Sequence, residues 1–354
     1  MSNNSPYVPV LKVKRGEKAA LHSISAALAT RITPLLEIVE RKVDKAPTVA
    51  AHLQSSFKGL AEGVRPYCRF LLDAREIEPD GPAAARAAFS LAAALGTPFT
   101  PVTGISRSVD IAAALDHRDN GTAIRLTRLE FETGRLPGGL SAFLARHGLT
   151  HEEVDLIVDL GPVDDLVLPG VTAFAEGFLA AIPDQIRWRS LTLSGSAFPS
   201  SMGGVVRDSE SRVDRTEWQF WRDVLLPKRK QLPRMPAYSD CGIQHPKGVE
   251  GFNPQTMAAS AAIRYALEKE WLLIKGESTK RRPPSEQFPE LARRLVQGPL
   301  RSDFAGIGHC AGCAAMKAAA DGAPRLGSLE AWRRLGTIHH ITLVAEQLAA
   351  LPWP

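Results

Sequence analysis

Short apolar runs alternate with Ala- and Leu-rich stretches of helical period along most of this chain. Tyr7-Val8-Pro9-Val10-Leu11-Lys12-Val13-Lys14 is β-branched and lacks a helix period, so it predicts a first strand. Residues 16–29 then place Ala20, Leu21, Ile24 and Leu28 on one helical face. The same alternation recurs with strands over 31–39, 68–74, 99–103, 122–126, 154–160, 190–195 and 237–241. Helices are expected between them over 48–63, 82–95, 108–117, 137–147, 171–182 and near 215–230. The stretch 82–95 is rich in Ala, the strongest helix former, and Gly96 stops it.

Strict βα alternation argues for a parallel sheet covered by helices. Eight such units within about 250 residues match the size of a closed (β/α)8, TIM-like barrel. An open doubly wound sheet would carry a Gly-rich phosphate turn after the first strand. Lys12-Val13-Lys14-Arg15-Gly16-Glu17 is no such turn. The expected organisation is therefore α/β, with a barrel over 1–250 and an α+β extension over 251–354 that packs on it. Within the extension, 263–267 and 271–275 fit either a hairpin or one amphipathic helix. Gly276 closes the second run and favours the hairpin. A basic, Pro-marked loop follows at 280–284, with helices near 285–297 and 338–350.

Composition narrows the classes. Hydrophobic residues are 44% and charged residues 23% of 354, which excludes disorder as the main state. Four Cys are too few for a disulfide scaffold. No apolar run is long enough for a membrane span, and Met1–Pro6 lacks the order of a signal peptide, so a cytoplasmic location with reduced thiols is expected. Lys+Arg exceed Asp+Glu by 43 to 38, a net +5 that permits an anionic partner without demanding one. The expected partner is an anionic small molecule or nucleotide. A nucleic acid or a defence-system protein is the alternative, with Lys228-Arg229-Lys230 and Lys280-Arg281-Arg282 as candidate contacts.

A barrel presents its chemistry at the carboxyl ends of the strands. Those ends offer Lys12 and Lys14, then Glu37, Asp73, Arg125, Asp159, Ser194 with Ser196, and Asp240. Three cations and four carboxylates can pair with one another. They can also bind an anion at Lys12, Lys14 and Arg125 while a carboxylate acts as acid or base, with hydrolysis the least committal reaction. The same set reads structurally as an ion-pair network closing the barrel top. Glu37, Asp73 and Asp159 are oxygen donors of the kind Mg²⁺ takes, although their spacing is non-local. Ser194-Gly195-Ser196 suits a phosphate cradle or a plain tight turn. His245 suits general acid–base work or a capped loop. Cys310-Ala311-Gly312-Cys313 is one Cys-x-x-Cys pair, with His309, His339 and His340 as further donors and no second Cys pair at ligand spacing. Zinc is therefore not expected, and no metal is assigned. His339 and His340 are adjacent on a helix, about 100° apart, so one is expected to face the core and the other solvent.

The assembled pattern resembles the bacterial and bacteriophage "beta protein" family. The resemblance rests on residues 7–17, 32–38, 238–246, 263–265 and 332–340 and spans nearly the whole chain. Val13 stands where the family pattern has Trp, and the stretch around Cys310 and Cys313 departs from it. The resemblance implies no reaction, and only loosely a role in phage–host conflict. It points to Lys12, Lys14, Glu37, Asp240, Gln244, His245, Arg264 and His340, and so adds Gln244, Arg264 and His340 as candidate substrate-binding positions.

Overall fold

The computed structural model describes residues 7–132, 136–248, 259–323 and 326–352. The N-terminal hexapeptide and the junction expected between residues 250 and 251 lie outside the described residues. Eight parallel strands follow one another around a sheet: β1 (Val10–Lys12), β2 (Leu35–Glu37), β3 (Phe70–Asp73), β4 (Phe99–Thr103), β5 (Thr122–Leu126), β6 (Val154–Pro162), β7 (Ser190–Ser196) and, after an inserted β8 (Ser209–Asp214), β9 (Ala237–Ser239). The last strand returns to the first. Val8 N–H donates to the Tyr238 carbonyl at 3.0 Å and Val10 N–H to the Asp240 carbonyl at 2.8 Å. These bonds leave no free edge, so the sheet is a closed (β/α)8 barrel.

The barrel is filled in three layers. At its amino end Asp155 accepts from Arg69 at 2.5 Å, Arg189 at 2.6 Å and Ser190 at 2.6 Å. The middle is apolar, packed from Val8, Val10, Leu35, Leu71, Val102, Ala123, Ile157, Ala237 and Cys241. The carboxyl end carries the charges described below. Side chains on the opposite pleat, among them Leu11, Leu36, Leu72, Ile124 and Tyr238, join a larger core under the helices. That core supplies most of the apolar burial that drives folding.

Local chemistry explains where the helices differ from the periodic expectation. The stretch 16–29 is two helices, Arg15–His22 and Ala26–Ala29, because the Ser25 hydroxyl caps the second. The stretch 48–63 is also two, Val49–Phe57 and Leu60–Val64, broken at Gly59, whose φ is +72°. The expected helix near 215–230 is Thr216–Gln219 continued by a π-helical run Phe220–Leu225 and a 3₁₀ turn. The last helix spans Leu329–Ala349 and so begins nine residues before the expected start, capped by Ser328.

The C-terminal region forms a second, three-stranded antiparallel sheet in the order β10 (Ser260–Ala266), β11 (Glu270–Ser278), β8. The 263–275 region is therefore a hairpin. β8, inserted between the last two barrel strands, supplies the third strand. Helices Pro284–Val296, Ala311–Ala320 and Leu329–Ala349 enclose their own core with this sheet through Ile263, Tyr265, Phe288, Leu291, Met316, Trp332 and Leu335. Among the described residues, no helix is long and apolar enough to cross a membrane.

Candidate functional site

The register of the short strands sets the rim. Lys12, Glu37 and Asp73 lie side by side across β1, β2 and β3, each at the last position of its strand. Paired residues of a parallel sheet point the same way, here into the barrel mouth. Arg125 is the hub. Its Nη1 donates to Glu37 at 2.6 Å and to Asp73 at 2.9 Å, while Nη2 and Nε reach Asp159 at 2.7 and 2.9 Å. Lys12 Nζ pairs with the second oxygen of Glu37 at 2.7 Å. The loop after β4 adds Arg107, which donates to Asp73 at 2.7 Å and pairs with Asp110, itself held by Thr103 at 2.6 Å.

Burial and pairing pull the protonation states in opposite directions, and pairing prevails at the hub. Burial raises the Asp73 carboxyl, but Arg107 and Arg125 hold it far below the usual carboxylate range. Burial likewise opposes ionisation of Glu37, yet Arg125 and Lys12 keep its carboxyl low. The Lys12 amine, drawn down by burial, is lifted above the ordinary lysine range by Glu37. Asp110 is the exception, since burial pushes it up despite Arg107. Five of the expected residues, Lys12, Glu37, Asp73, Arg125 and Asp159, thus converge in one network of mutually satisfied charges. Lys12 and Glu37, at 18% and 13% side-chain exposure, are its open edge, since Asp73 and Arg125 lie at 1% and 5%.

The other expected residues lie elsewhere. Asp240 follows Ser239 by one residue, so the alternation that keeps Ser239 and Cys241 inside turns Asp240 to the outside of the barrel wall. There it accepts from Tyr7 at 2.6 Å, Tyr238 at 3.0 Å, the Gly242 N–H at 3.0 Å and His340 Nε2 at 2.9 Å. Burial disfavours this carboxylate, but His340, Arg215 and the Tyr7 hydroxyl bring its pKa down to about 2. Ser194 lies inside the barrel and accepts from Ser239 at 3.1 Å. Ser196 is buried and accepts from the Phe198 N–H two residues on, closing a turn. His245, in the loop after β9, pairs with Asp164 at 3.4 Å and with none of the rim carboxylates among the described contacts.

Lys14 lies outside the mouth. It lines a groove with Arg15, Gly16, Glu17 and, from the final helix, Glu330, Arg333, Arg334 and Thr337. Four cations face two carboxylates there, around a cavity of about 90 Å³. Arg15 is committed to Glu330 by two bonds of 2.6 Å. Gln244 donates to Glu17 at the same groove. Arg264 donates to the Ile243 carbonyl at 2.9 Å and stacks over Phe198. Partial burial, then Arg333, Lys12 and Lys42, hold the Lys14 amine below the ordinary lysine range. Burial and Arg333 bring Arg264 down to about 10. A wider groove of about 670 Å³, lined by Leu179, Ile182, Ile186 and Leu232, contains none of the residues expected at the rim.

The structure adds two residues to the rim and corrects one expectation for the final helix. Arg107 and Asp110 are on the loop after β4, a strand that contributed no candidate to the expected rim, and their place one loop beyond a strand end was the available signal. His339 and His340 are both buried, not one buried and one exposed. His340 meets Asp240. His339 instead turns toward Cys313, whose sulfur lies 3.3 Å from its Nδ1.

A family model described as Beta protein matches residues 7–346. No curated protein matches the chain. Among solved structures, triosephosphate isomerase from Bartonella henselae is 12% identical, with 67% of this chain and 92% of that chain covered and a TM-score of 0.28.

Proposed function

This chain belongs to the Beta protein family, and within that frame we propose that it binds a small phosphate-bearing anion at the groove beside the barrel mouth. The observation that carries the reading is the unbalanced set of Lys14, Arg333 and Arg334 around that cavity. The rim cations are spoken for: Arg125 makes contacts to three carboxylates, so an anion there would have to displace them. Among the described residues, the close ion pair in the groove is that of Arg15 with Glu330, which leaves three cations facing Glu17. The Lys14 ammonium and the Arg333 and Arg334 guanidinium groups would hold the anion, with the Thr337 hydroxyl as a further donor.

Size sets the ligand class. About 90 Å³ is room for about three waters, far below the several hundred Å³ that enclose a drug-sized ligand. The groove therefore suits one phosphoryl group, with the rest of the ligand lying outside it. Hydrolysis is the second reading, and one observation favours it. The solvent-touched Lys12–Glu37 pair belongs to the same strand end as Lys14, and the charges of Lys12 and Lys14 act on each other. Glu37, held ionised by Arg125 and Lys12, would take a proton from water as the water oxygen bonds to phosphorus. Lys12 would steady the charge on the phosphoryl oxygens, and the ester oxygen would leave as the P–O bond breaks and take up a proton from solvent.

Calorimetric titration with inorganic phosphate and with a nucleoside monophosphate tests the binding. Saturable, salt-sensitive binding is expected, weakened about tenfold or more in the Lys14→Gln, Arg333→Gln double variant. Equal binding by that variant, or none by the native chain, would overturn the reading. Phosphate release that vanishes in Glu37→Gln while anion binding survives would support hydrolysis.

A further inference from the structure

We propose that His309, Cys310, Cys313 and His339 form a closed, four-ligand zinc site that pins the final helix to helix Ala311–Ala320. One ligand atom each from His309, Cys310 and His339 lies within 4.8 Å of the others, and the Cys313 sulfur is 3.3 Å from His339 Nδ1. A tetrahedral zinc with Zn–S of about 2.3 Å and Zn–N of about 2.0–2.1 Å holds its ligand atoms roughly 3.3–3.8 Å apart. Among His309, Cys310 and His339 the widest separation therefore has to close by at most about 1–1.5 Å to meet that geometry, with the Cys313 sulfur already beside His339.

The surroundings supply what a metal site requires beyond its ligands. A zinc-bound imidazole is usually oriented by a hydrogen bond from its other nitrogen to a carbonyl or carboxylate. His339 Nε2 is 2.8 Å from the Ala266 carbonyl, which leaves Nδ1 turned to Cys313. His309 Nδ1 is 3.2 Å from the Glu346 carboxylate. Its side chain is 10% exposed, and its Nε2 is buried without a hydrogen-bond partner among the described residues. A buried nitrogen lone pair with nothing to accept is costly unless a proton or a metal takes it. Cys310 is the N-cap of helix Ala311–Ala320, and its sulfur accepts the Cys313 N–H at 3.3 Å, an arrangement that favours a thiolate. Tyr265 stacks on the His339 ring with centroids 3.8 Å apart, and its hydroxyl lies 3.4 Å from the Cys313 sulfur.

Two thiolates and two neutral imidazoles give a neutral site with zinc, suited to a buried position. With all four positions filled by protein there is no open position for water or substrate, so the role is structural. The ligands come from the loop before helix Ala311–Ala320, from that helix, and from the middle of Leu329–Ala349. The metal would clamp these two helices together where Ala266, at the end of β10, holds His339. This site is separate from the anion groove, and neither proposal depends on the other.

The full chain, expressed with zinc and purified without chelator, is expected to carry about one zinc by elemental analysis. Cys310→Ser with Cys313→Ser should lose nearly all of it, while Cys68→Ser, at an exposed cysteine, should retain it. Should the double variant fail to fold, the native chain decides. Chelator-stripped protein titrated with Co²⁺ should develop thiolate-to-cobalt charge-transfer and tetrahedral ligand-field absorption, and both thiols should become protected from alkylation. Purified native protein with zinc on fewer than about one chain in ten, and no thiolate band on cobalt addition, would overturn the site. A Cys310–Cys313 disulfide in the intact mass of protein purified under reducing conditions would overturn it equally.

Discussion

At the residue scale, Glu217 and Asp240 show opposite answers to burial. Both are buried carboxyls near Arg215. Asp240 has four donors around it, whereas Glu217 is served by backbone N–H groups, that of Ala197 at 3.1 Å, and leaves its other oxygen without a partner among the described residues. Burial therefore raises Glu217 to about 7. Its folded pKa lies above its unfolded value, so the native state binds the extra proton between about pH 4.5 and 7 and stability falls as pH rises through that window. Glu217→Gln removes the titration. Thermal unfolding at pH 8 should show the variant more stable than native by on the order of 3 kcal/mol, with the difference gone near pH 4.5. A pH-independent difference would show that Glu217 does not titrate there. Asp240→Ala should act in the other direction. It strips the acceptor from Tyr7, Tyr238, Gly242 and His340 and is expected to cost about 3–5 kcal/mol in denaturant unfolding at neutral pH. A loss under about 1 kcal/mol would mean that water replaces the carboxylate.

At the scale of elements, close approaches decide what side chains fit. A Cβ on Gly312 would stand 2.5 Å from the Leu335 carbonyl, and one on Gly336 would stand 2.6 Å from the Arg264 carbonyl. Backbone cannot yield as a side-chain tip can, so Gly312→Ala and Gly336→Ala should each lose about 1–3 kcal/mol. Gly177, in helix Leu168–Ala180, has nothing near its Cβ position, so Gly177→Ala should instead gain up to about 1 kcal/mol from helix propensity. Melting curves of the three variants check the contrast. The barrel was legible because its signals are local: each strand is a short apolar run and each helix has a period. The rim was legible for Lys12, Glu37, Asp73, Arg125 and Asp159 because alternation inside a strand says which residues share a face. Asp240 was misassigned by one residue of that alternation, and nothing local said that its strand ends at Ser239. The Cys/His cluster was only partly legible: its residues stood out as donors, but without a second Cys pair at ligand spacing they did not read as one set. One histidine precedes the Cys-x-x-Cys pair, the other is 26 positions beyond Cys313, and its neighbour His340 serves another partner. No spacing rule describes a set brought together only by the packing of two helices on a sheet. β8 was missed because its burial alternates half-exposed and exposed, with Val213 its one apolar residue, and the apolar face of its sheet is supplied by other strands.

At the scale of the whole molecule, the barrel is a cylinder plugged by charge at both ends with an apolar middle. Asp155 with Arg69 and Arg189 plugs the amino end, and the Arg125 network plugs the carboxyl end. Each plug joins strands far apart in sequence, so each acts on closure as well as on local stability. Arg125 is bonded to carboxylates from β2, β3 and β6 across the mouth. Replacing it with Met leaves Glu37, Asp73 and Asp159 crowded in a buried space, with Lys12 and Arg107 as their remaining cations. The expected loss at pH 8 is about 3–5 kcal/mol, from uncompensated buried charge rather than lost packing, since Met fills much of the same volume. The sign of its pH dependence separates these causes. In the native chain Glu37 and Asp73 titrate below their unfolded values, so their stabilisation is present above about pH 4 and is lost as pH falls. Without Arg125 their folded pKa values rise, so the variant binds protons more readily than the native chain. The gap between the two should narrow as pH drops from 8 toward 4. Arg125→Lys should recover only part of the loss, because one ammonium cannot hold three carboxylates in the planar fork that a guanidinium provides. A gap that stays constant with pH would assign the destabilisation to packing and leave the mouth without its electrostatic keystone.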